Sequence, residues 1–396
     1  MKLLVSFLLI LSLISPALCA SAAEETASVP VLARGTETVA APENPSLLLP
    51  CRGAVLIEQN SGTVLFESNA DEALPIASVT KIMTLLLTME ALDAGILHLD
   101  QEVPISETAA SMGGSQVFLE PGEKITLNDV LKAVFVSSAN DGAVALAELV
   151  SGSVEGFVEK MNARAAELGM EHTEFFNPTG LDDQETNLSS ARDVALMSKA
   201  LLSHQKIYEY TTLWIDSIRN GAFGLTNTNK LIRFYPGATG LKTGSTGKAK
   251  YCVSASAERN GLKLCAVVLG GESSADRFNA AKTMLDYGFA NYAYFQPEPY
   301  PGTPVPVWGG TLSEVKTEAD CAGILLPKKD AVGLQAKIEL AAELTAPVQK
   351  GAEIGSITYE KEGEAIHRVP ILAAEEVPKL SFSQIFLHLI RSAFGA

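Results

Sequence analysis

The chain has 396 residues and carries 46 Asp and Glu against 30 Lys and Arg, a formal net charge of −16. That acidity excludes a nucleic-acid partner, whose phosphates need Lys and Arg to displace counterions, and the length suits one large domain plus a smaller one. The five histidines (His98, His172, His204, His367 and His388) are scattered, without His-x-x-x-His or Cys-x-x-Cys spacing, so neither a metal site nor a cofactor is expected.

The chain opens with Lys2, an apolar run from Leu3 to Ile14, Pro16 and small residues through Ala23. This is the layout of a secretory signal over residues 1–22, with Ala20-Ser21-Ala22 as the cleavage site. Cutting directly after Ala20 would put bulky Leu18 three residues upstream, and the same leucine argues against lipid attachment at Cys19. Residues 23–50, rich in Ala, Pro, Glu, Ser and Thr without periodicity, read as a flexible leader. Four cysteines then remain, Cys51, Cys252, Cys265 and Cys321; their wide spacing predicts free thiols rather than a disulfide scaffold.

Arg52 to Glu58 and Thr63 to Glu67 are apolar-rich segments joined by Gln59-Asn60-Ser61-Gly62, a hairpin pattern. Ile82, Leu85, Leu86 and Met89 recur at helical spacing, predicting a buried helix from Ser78 to Ala94 that Ser78 opens and Gly95 stops. Further helices are expected at Thr126 to Phe135 with Thr126 as cap, Asp141 to Val150, Val154 to Leu168 ending at Gly169, and Ala191 to Leu202. Strand character returns at Tyr251 to Ala257 and Leu262 to Leu269, linked by the hairpin signal Asn260-Gly261, and a helix follows at Asp276 to Tyr287. Strands at both ends with helices between predict an α/β domain over 51–296 whose sheet joins sequence-distant segments. Five prolines between Pro297 and Pro306 mark a boundary. Beyond it, runs at Gly323 to Leu326, Leu334 to Leu340 and Glu353 to Tyr359 predict a small all-β domain over 297–378. In residues 379–396, Phe382, Ile385, Phe386, Leu389, Ile390 and Phe394 form one apolar stripe. It is too short to span a bilayer, which takes about 20 apolar residues, and suits a helix lying in a membrane interface or docked on the β domain.

Three polar motifs interrupt this pattern. Ser78-Val79-Thr80-Lys81 puts a hydroxyl and an amine on one helix face, Ser138-Ala139-Asn140 falls between two apolar helices, and Lys242-Thr243-Gly244-Ser245 directly precedes a strand; their order matches one known constellation. A serine nucleophile needs a base, and no histidine lies in any motif. Lys81 is the candidate, because a helix N-terminus and a second cation, Lys242, disfavour its charged form. Ser138 can relay a proton to the leaving amine, and Asn140 can hold Lys81 and bond a substrate backbone. Gly244 is expected to let a substrate approach closely. An extended peptide could then add along the strand, with Thr243 beside it and the backbone amides of Ser78 and Ser245 as oxyanion donors.

From about Cys51 to Val377 the sequence resembles the low-molecular-mass penicillin-binding proteins that act as D-alanyl-D-alanine carboxypeptidases. The resemblance is carried by Ile76 to Thr84, Phe118-Leu119-Glu120-Pro121-Gly122, Ser137 to Asp141, Ser190-Ala191-Arg192-Asp193, Gly240 to Thr246 and Gly270-Gly271. It implies a penicillin-binding, serine β-lactamase-like transpeptidase fold, an antiparallel sheet with helices and a helical subdomain, followed by a small all-β spacer. It implies an exported enzyme that removes the terminal D-alanine of peptidoglycan stem peptides through an acyl-enzyme on Ser78, with β-lactams as covalent inhibitors. Arg277 stands where the family has an arginine for the substrate's terminal carboxylate, a role that suits a guanidinium fork. The resemblance also favours a C-terminal helix on the outer face of the cytoplasmic membrane. Ala139 and Ser245 depart from residues common in relatives and bear on substrate preference. A D,D-endopeptidase shares the acyl chemistry. A β-lactamase is disfavoured by the lack of a Glu-x-x-Leu-Asn signature, and a non-catalytic wall-binding scaffold by the full set of reactive residues.

Overall fold

The computed structural model describes residues 46–182 and 185–387. The signal, most of the leader and the last nine residues therefore lie outside the described residues.

The hairpin forms as β1 (Gly53–Glu58) and β2 (Val64–Ser68). Its turn is tied by Glu58, whose carboxylate accepts from the backbone amides of Asn60 and Ser61. The segment after it begins differently from the expected helix. Ala77–Thr80 is a single 3₁₀ turn, and the α-helix proper, α1 (Lys81–Asp93), starts at the lysine. Ala77 has φ +47°, a left-handed conformation that no regular helix tolerates. Ser78 therefore sits on a tight turn ahead of α1.

The helical region continues with α2 (Leu127–Ser137), α3 (Asn140–Ser151), α4 (Val154–Glu167) and α5 (Ala191–Leu202). Thr126, Ser153 and Ser190 cap α2, α4 and α5, each accepting a hydrogen bond from a backbone amide of the first turn, the usual means of satisfying orphan donors. Helix α1 runs through the middle of this region and buries nearly every face, from Ile82 to Met89.

The chain returns to the sheet as β3 (Ala238–Thr246), β4 (Lys250–Arg259) and β5 (Leu262–Gly271), then crosses behind it as α6 (Ser274–Asn291). The sheet is antiparallel with order β2-β1-β5-β4-β3. Asn260 and Gly261 both have positive φ, as a two-residue hairpin turn requires. Val55, Ile57, Cys265, Val267 and Leu269 point into the core shared with the helical region. Ala54, Leu56, Leu264, Ala266 and Val268 point to a second core under α6. Strands buried on both faces read as continuous apolar runs rather than alternations. Strand β3 corrects the expectation for the third motif, since Lys242-Thr243-Gly244-Ser245 lies within this strand rather than before one. It is an edge strand, and Lys242 reaches from it to Ser138 in the helical region.

After α6, β6 (Tyr292–Phe295) pairs with β7 (Ile324–Pro327). Beyond them β8 (Gln335–Leu340), β9 (Glu353–Lys361) and β10 (Glu364–Ala373) form an antiparallel sheet with the short strand Thr317–Glu318. Val305, Val315, Ile357, Ile371 and Val377 make its separate core. Residues 382–387 are helical and leave Phe382, Ile385 and Phe386 84%, 41% and 55% exposed; Leu389, Ile390 and Phe394 of the apolar stripe lie outside the described residues. Among the described residues no helix is long and apolar enough to cross a membrane. Cys252 and Cys265 are buried, Cys51 and Cys321 half-buried, and all four are free thiols.

Candidate active site

The three motifs meet at the seam between β3 and the helical region. The tight turn lies flat on the edge strand: a Cβ built on Gly244 would stand 2.8 Å from the Ile76 carbonyl and 2.9 Å from the Ser78 and Val79 nitrogens. The missing side chain of Gly244 makes room for the turn that carries Ser78. The contact also brings the Ser78 amide alongside the strand that carries Ser245.

Lys81 Nζ has three neighbours. It donates to Asn140 Oδ1 at 2.6 Å and to the Thr179 carbonyl at 2.7 Å, and it lies 2.9 Å from Ser78 Oγ. The residue is fully buried. Burial, and then the Lys242 charge, push its pKa well below that of an ordinary lysine, against an opposing pull from Asp141. A neutral amine has two N–H donors and one lone pair. In that form the two carbonyl oxygens would take both donors and leave the lone pair to the Ser78 hydroxyl.

Ser138 caps the C-terminal end of α2 at φ +62°, a strained conformation of the kind found at functional sites. It turns the chain so that α3 starts with Asn140, whose Nδ2 donates to the Gly113 carbonyl at 2.7 Å. Lys242 Nζ donates to Ser138 Oγ at 2.8 Å and to the Thr243 carbonyl at 3.0 Å. Burial first, and Arg277 second, lower Lys242 to about 7.

Arg277 is 8% exposed, not a surface residue of the helix start. Its Nη1 donates to the carbonyls of Gly244 at 2.8 Å and Cys252 at 3.2 Å on neighbouring strands, while its buried Nε has no hydrogen-bond partner. No carboxylate pairs with it among the described residues, and burial lowers its pKa.

Several supporting groups carried no sequence signal. The Thr179 carbonyl is presented by a loop in which Asn177 Oδ1 accepts from the amides of Thr179 and Gly180 and from the Thr179 hydroxyl; the Asn-Pro-Thr-Gly turn composition was the only available hint. Buried Asp141 accepts from the amides of Val117, Leu119 and Gly142. Arg219 donates to the carbonyls of Val117 and Phe118 and pairs with Glu123. Together they clamp the segment that offers Gly113 to Asn140. Thr228, near Thr243, was also missed.

A serine hydroxyl, a fully buried lysine amine 2.9 Å from it and an edge strand beside them are the parts of an acyl-transferring serine hydrolase of the peptidase kind. Residues 38–273 match the family described as D-alanyl-D-alanine carboxypeptidase, peptidase S11, and residues 297–379 match the penicillin-binding protein 5 C-terminal domain. The D-alanyl-D-alanine carboxypeptidase DacF of Bacillus subtilis is 42% identical over 84% of this chain and 87% of its own length. Penicillin-binding protein 5 of Haemophilus influenzae superposes with a TM-score of 0.72 at 31% identity, covering 85% of this chain and all of that one. Penicillin-binding protein D2 of Listeria monocytogenes, solved in an ampicillin-bound form, matches 62% of this chain and all of its own with a TM-score of 0.57 at 32% identity. The chain belongs to the serine-type D-alanyl-D-alanine carboxypeptidase family, with the family's transpeptidase fold and all-β C-terminal domain.

Proposed function

We propose that this enzyme releases the terminal D-alanine of peptidoglycan stem pentapeptides through an acyl-enzyme on Ser78. The observation that carries the reading is the position of the buried Lys81 amine, 2.9 Å from Ser78 Oγ and held there by the Asn140 side chain and the Thr179 carbonyl. Lys81 takes the Ser78 proton as Oγ bonds to the scissile carbonyl carbon, and the amides of Ser78 and Ser245 hold the resulting oxyanion. Collapse breaks the C–N bond, and the proton passes through Ser138 to the departing amine. Water then attacks the ester with Lys81 again as base, regenerating Ser78 and releasing the shortened peptide. Asn140 holds Lys81 and the substrate amide, Lys242 keeps positive charge beside Ser138, and Thr243 with Arg277 receives the terminal carboxylate. β-Lactams, whose strained amide mimics the D-Ala-D-Ala bond, acylate the same serine.

In this reading residues 51–296 carry the chemistry and residues 297–378 act as a spacer. The signal over 1–22 is removed on export, and residues 379–396 hold the enzyme at the outer face of the cytoplasmic membrane. D-Alanine release from a pentapeptide, measured beside nitrocefin hydrolysis and cleavage of a cross-linked dimer, tests the reaction. Intact-mass spectrometry after penicillin treatment tests the nucleophile: a penicillin adduct on Ser78→Ala, or nitrocefin turnover outpacing D-alanine release, would overturn it.

A further inference from the structure

The outer edge of β3 is not open along its whole length. Near its start, Thr211 Oγ1 donates to the Thr239 carbonyl at 2.6 Å and Asn229 Nδ2 donates to the Gly240 carbonyl at 2.7 Å. The segment supplying Asn229 is firmly anchored. Buried Asn227 donates through Nδ2 to the Leu213 carbonyl, its Oδ1 accepts from the Asn229 amide, and its own amide reaches the Trp214 carbonyl. From Thr243 to Thr246, no other segment among the described residues is hydrogen-bonded to the strand's outer backbone.

Thr228 stands where the covered half meets the open half. Its amide donates to the Val136 carbonyl at 3.1 Å, two residues before Ser138 on α2, and its hydroxyl accepts from Thr243 Oγ1 at 2.7 Å. One residue thus bridges from the helix end carrying Ser138 to the edge strand.

The direction of an added peptide follows from hydrogen-bond geometry. The Thr243 carbonyl faces the groove, since it accepts from Lys242 Nζ, so alternation turns the amide and carbonyl of Ser245 the same way. In antiparallel addition a single residue exchanges both its N–H and its C=O with Ser245; in parallel addition none does. With the scissile carbonyl at the Ser245 amide, the residue before the cut lies opposite Ser245. The first leaving residue then lies opposite Gly244, and a second would fall opposite Thr243, beside the Thr228 hydroxyl that meets the Thr243 side chain.

We propose that Thr228 sets the length of the leaving group, closing the edge-strand groove one residue past the scissile bond and so making the enzyme an exopeptidase. This rests on the acyl-transfer geometry proposed above. It concerns bulk at position 228, not the chemistry of bond cleavage.

The test uses acetylated stem peptides ending in D-Ala-D-Ala, alone or extended by one or two glycines, and follows cleavage of the D-Ala–D-Ala bond alone, as release of D-Ala, D-Ala-Gly or D-Ala-Gly-Gly read by mass spectrometry, so that one, two or three residues leave and removal of glycine is not counted. Values of kcat/KM are referred to the sites titrated by penicillin. For the wild type, lengthening the leaving group from one residue to two is expected to lower kcat/KM by about 10²-fold, the scale of a misplaced reacting group. Thr228→Gly should narrow that gap at least about tenfold, whereas Thr228→Val, of equal width and without the hydroxyl, should keep it. If Thr228→Gly does not fold, Thr228→Ser supplies the smaller side chain, and a partial narrowing is expected. A gap unchanged in the smaller variants overturns the proposal, as does wild-type enzyme that cleaves both lengths equally. A wild type with no penicillin-titratable site would instead overturn the acyl-enzyme reading beneath it.

Discussion

Replacing Gly244 by alanine tests the contact on which the site is assembled. The backbone at this position is ordinary extended strand, so the methyl group adds no conformational strain of its own. Its three nearest neighbours are all backbone atoms of the Ser78 turn, at 2.8–2.9 Å, and restoring van der Waals separation requires a shift of about 0.5 Å. The turn has little room to retreat. Ala77 is held in its left-handed conformation, and a Cβ on Gly180 would lie 1.9 Å from the Ala77 carbonyl, so Gly180 backs the turn from the other side. Overpacking of this kind costs about 1–3 kcal/mol, which lowers Tm by about 2–10 °C in a domain of this size. Displacing Ser78 from the Lys81 lone pair should slow penicillin acylation by about 10- to 100-fold. The rate is read by stopped-flow fluorescence, Tm by calorimetry. Gly247→Ala, with nothing within 4 Å of the added methyl, is the control and should match wild type. If Gly244→Ala acylates within twofold of wild type at an unchanged Tm, the turn does not rest on the strand as described and the reasoning fails.

Lys81→Arg keeps a cation that does not deprotonate; it should fold, with a circular dichroism spectrum like wild type, yet lose acylation by at least about 10³-fold. Lys242 loses its charge as pH rises through about 7, so kcat/KM on the pentapeptide should fall on that alkaline side, while protonation of Lys81 sets the acid limb. Arg277→Ala removes a cation that lowers Lys242, so its alkaline limb should move to higher pH, read from the full pH–rate profile. The same variant should lose about 10- to 100-fold in pentapeptide turnover, the worth of a charge-assisted hydrogen bond, and less in acylation by a carboxylate-poor β-lactam. Truncation before Ser381 should abolish liposome flotation and leave turnover of soluble pentapeptide intact; equal flotation of both forms would refute the anchor.

The helices and central strands were legible because burial forces periodic or continuous apolar residues and because capping residues mark their ends. The helix from Ala191 to Leu202 is found at its expected bounds, with Ser190 capping it. Strand β10 was missed because it carries His367, Arg368 and Pro370 on a half-exposed sheet. Its alternation is broken where neither face is fully dry. The edge strand was misread for a related reason: Lys242, Thr243 and Ser245 are polar because their surroundings are the cleft, and polarity is the signature that sequence patterning assigns to a loop.

The site shows the same division. Ser78, Lys81, Ser138, Asn140 and Lys242 announce themselves because their chemistry resides in side chains, whereas the groups that aim them do so largely through the backbone. Any residue type could supply the Thr179 or Gly113 carbonyl, so no motif marks them. Yet without the Thr179 acceptor the buried Lys81 amine would lose one of its three hydrogen-bond partners and with it part of what holds it beside Ser78. The place of the Lys81 amine is therefore specified jointly by a lysine that the sequence displays and by a carbonyl 98 positions away that only the folded loop from Asn177 to Gly180 brings into place.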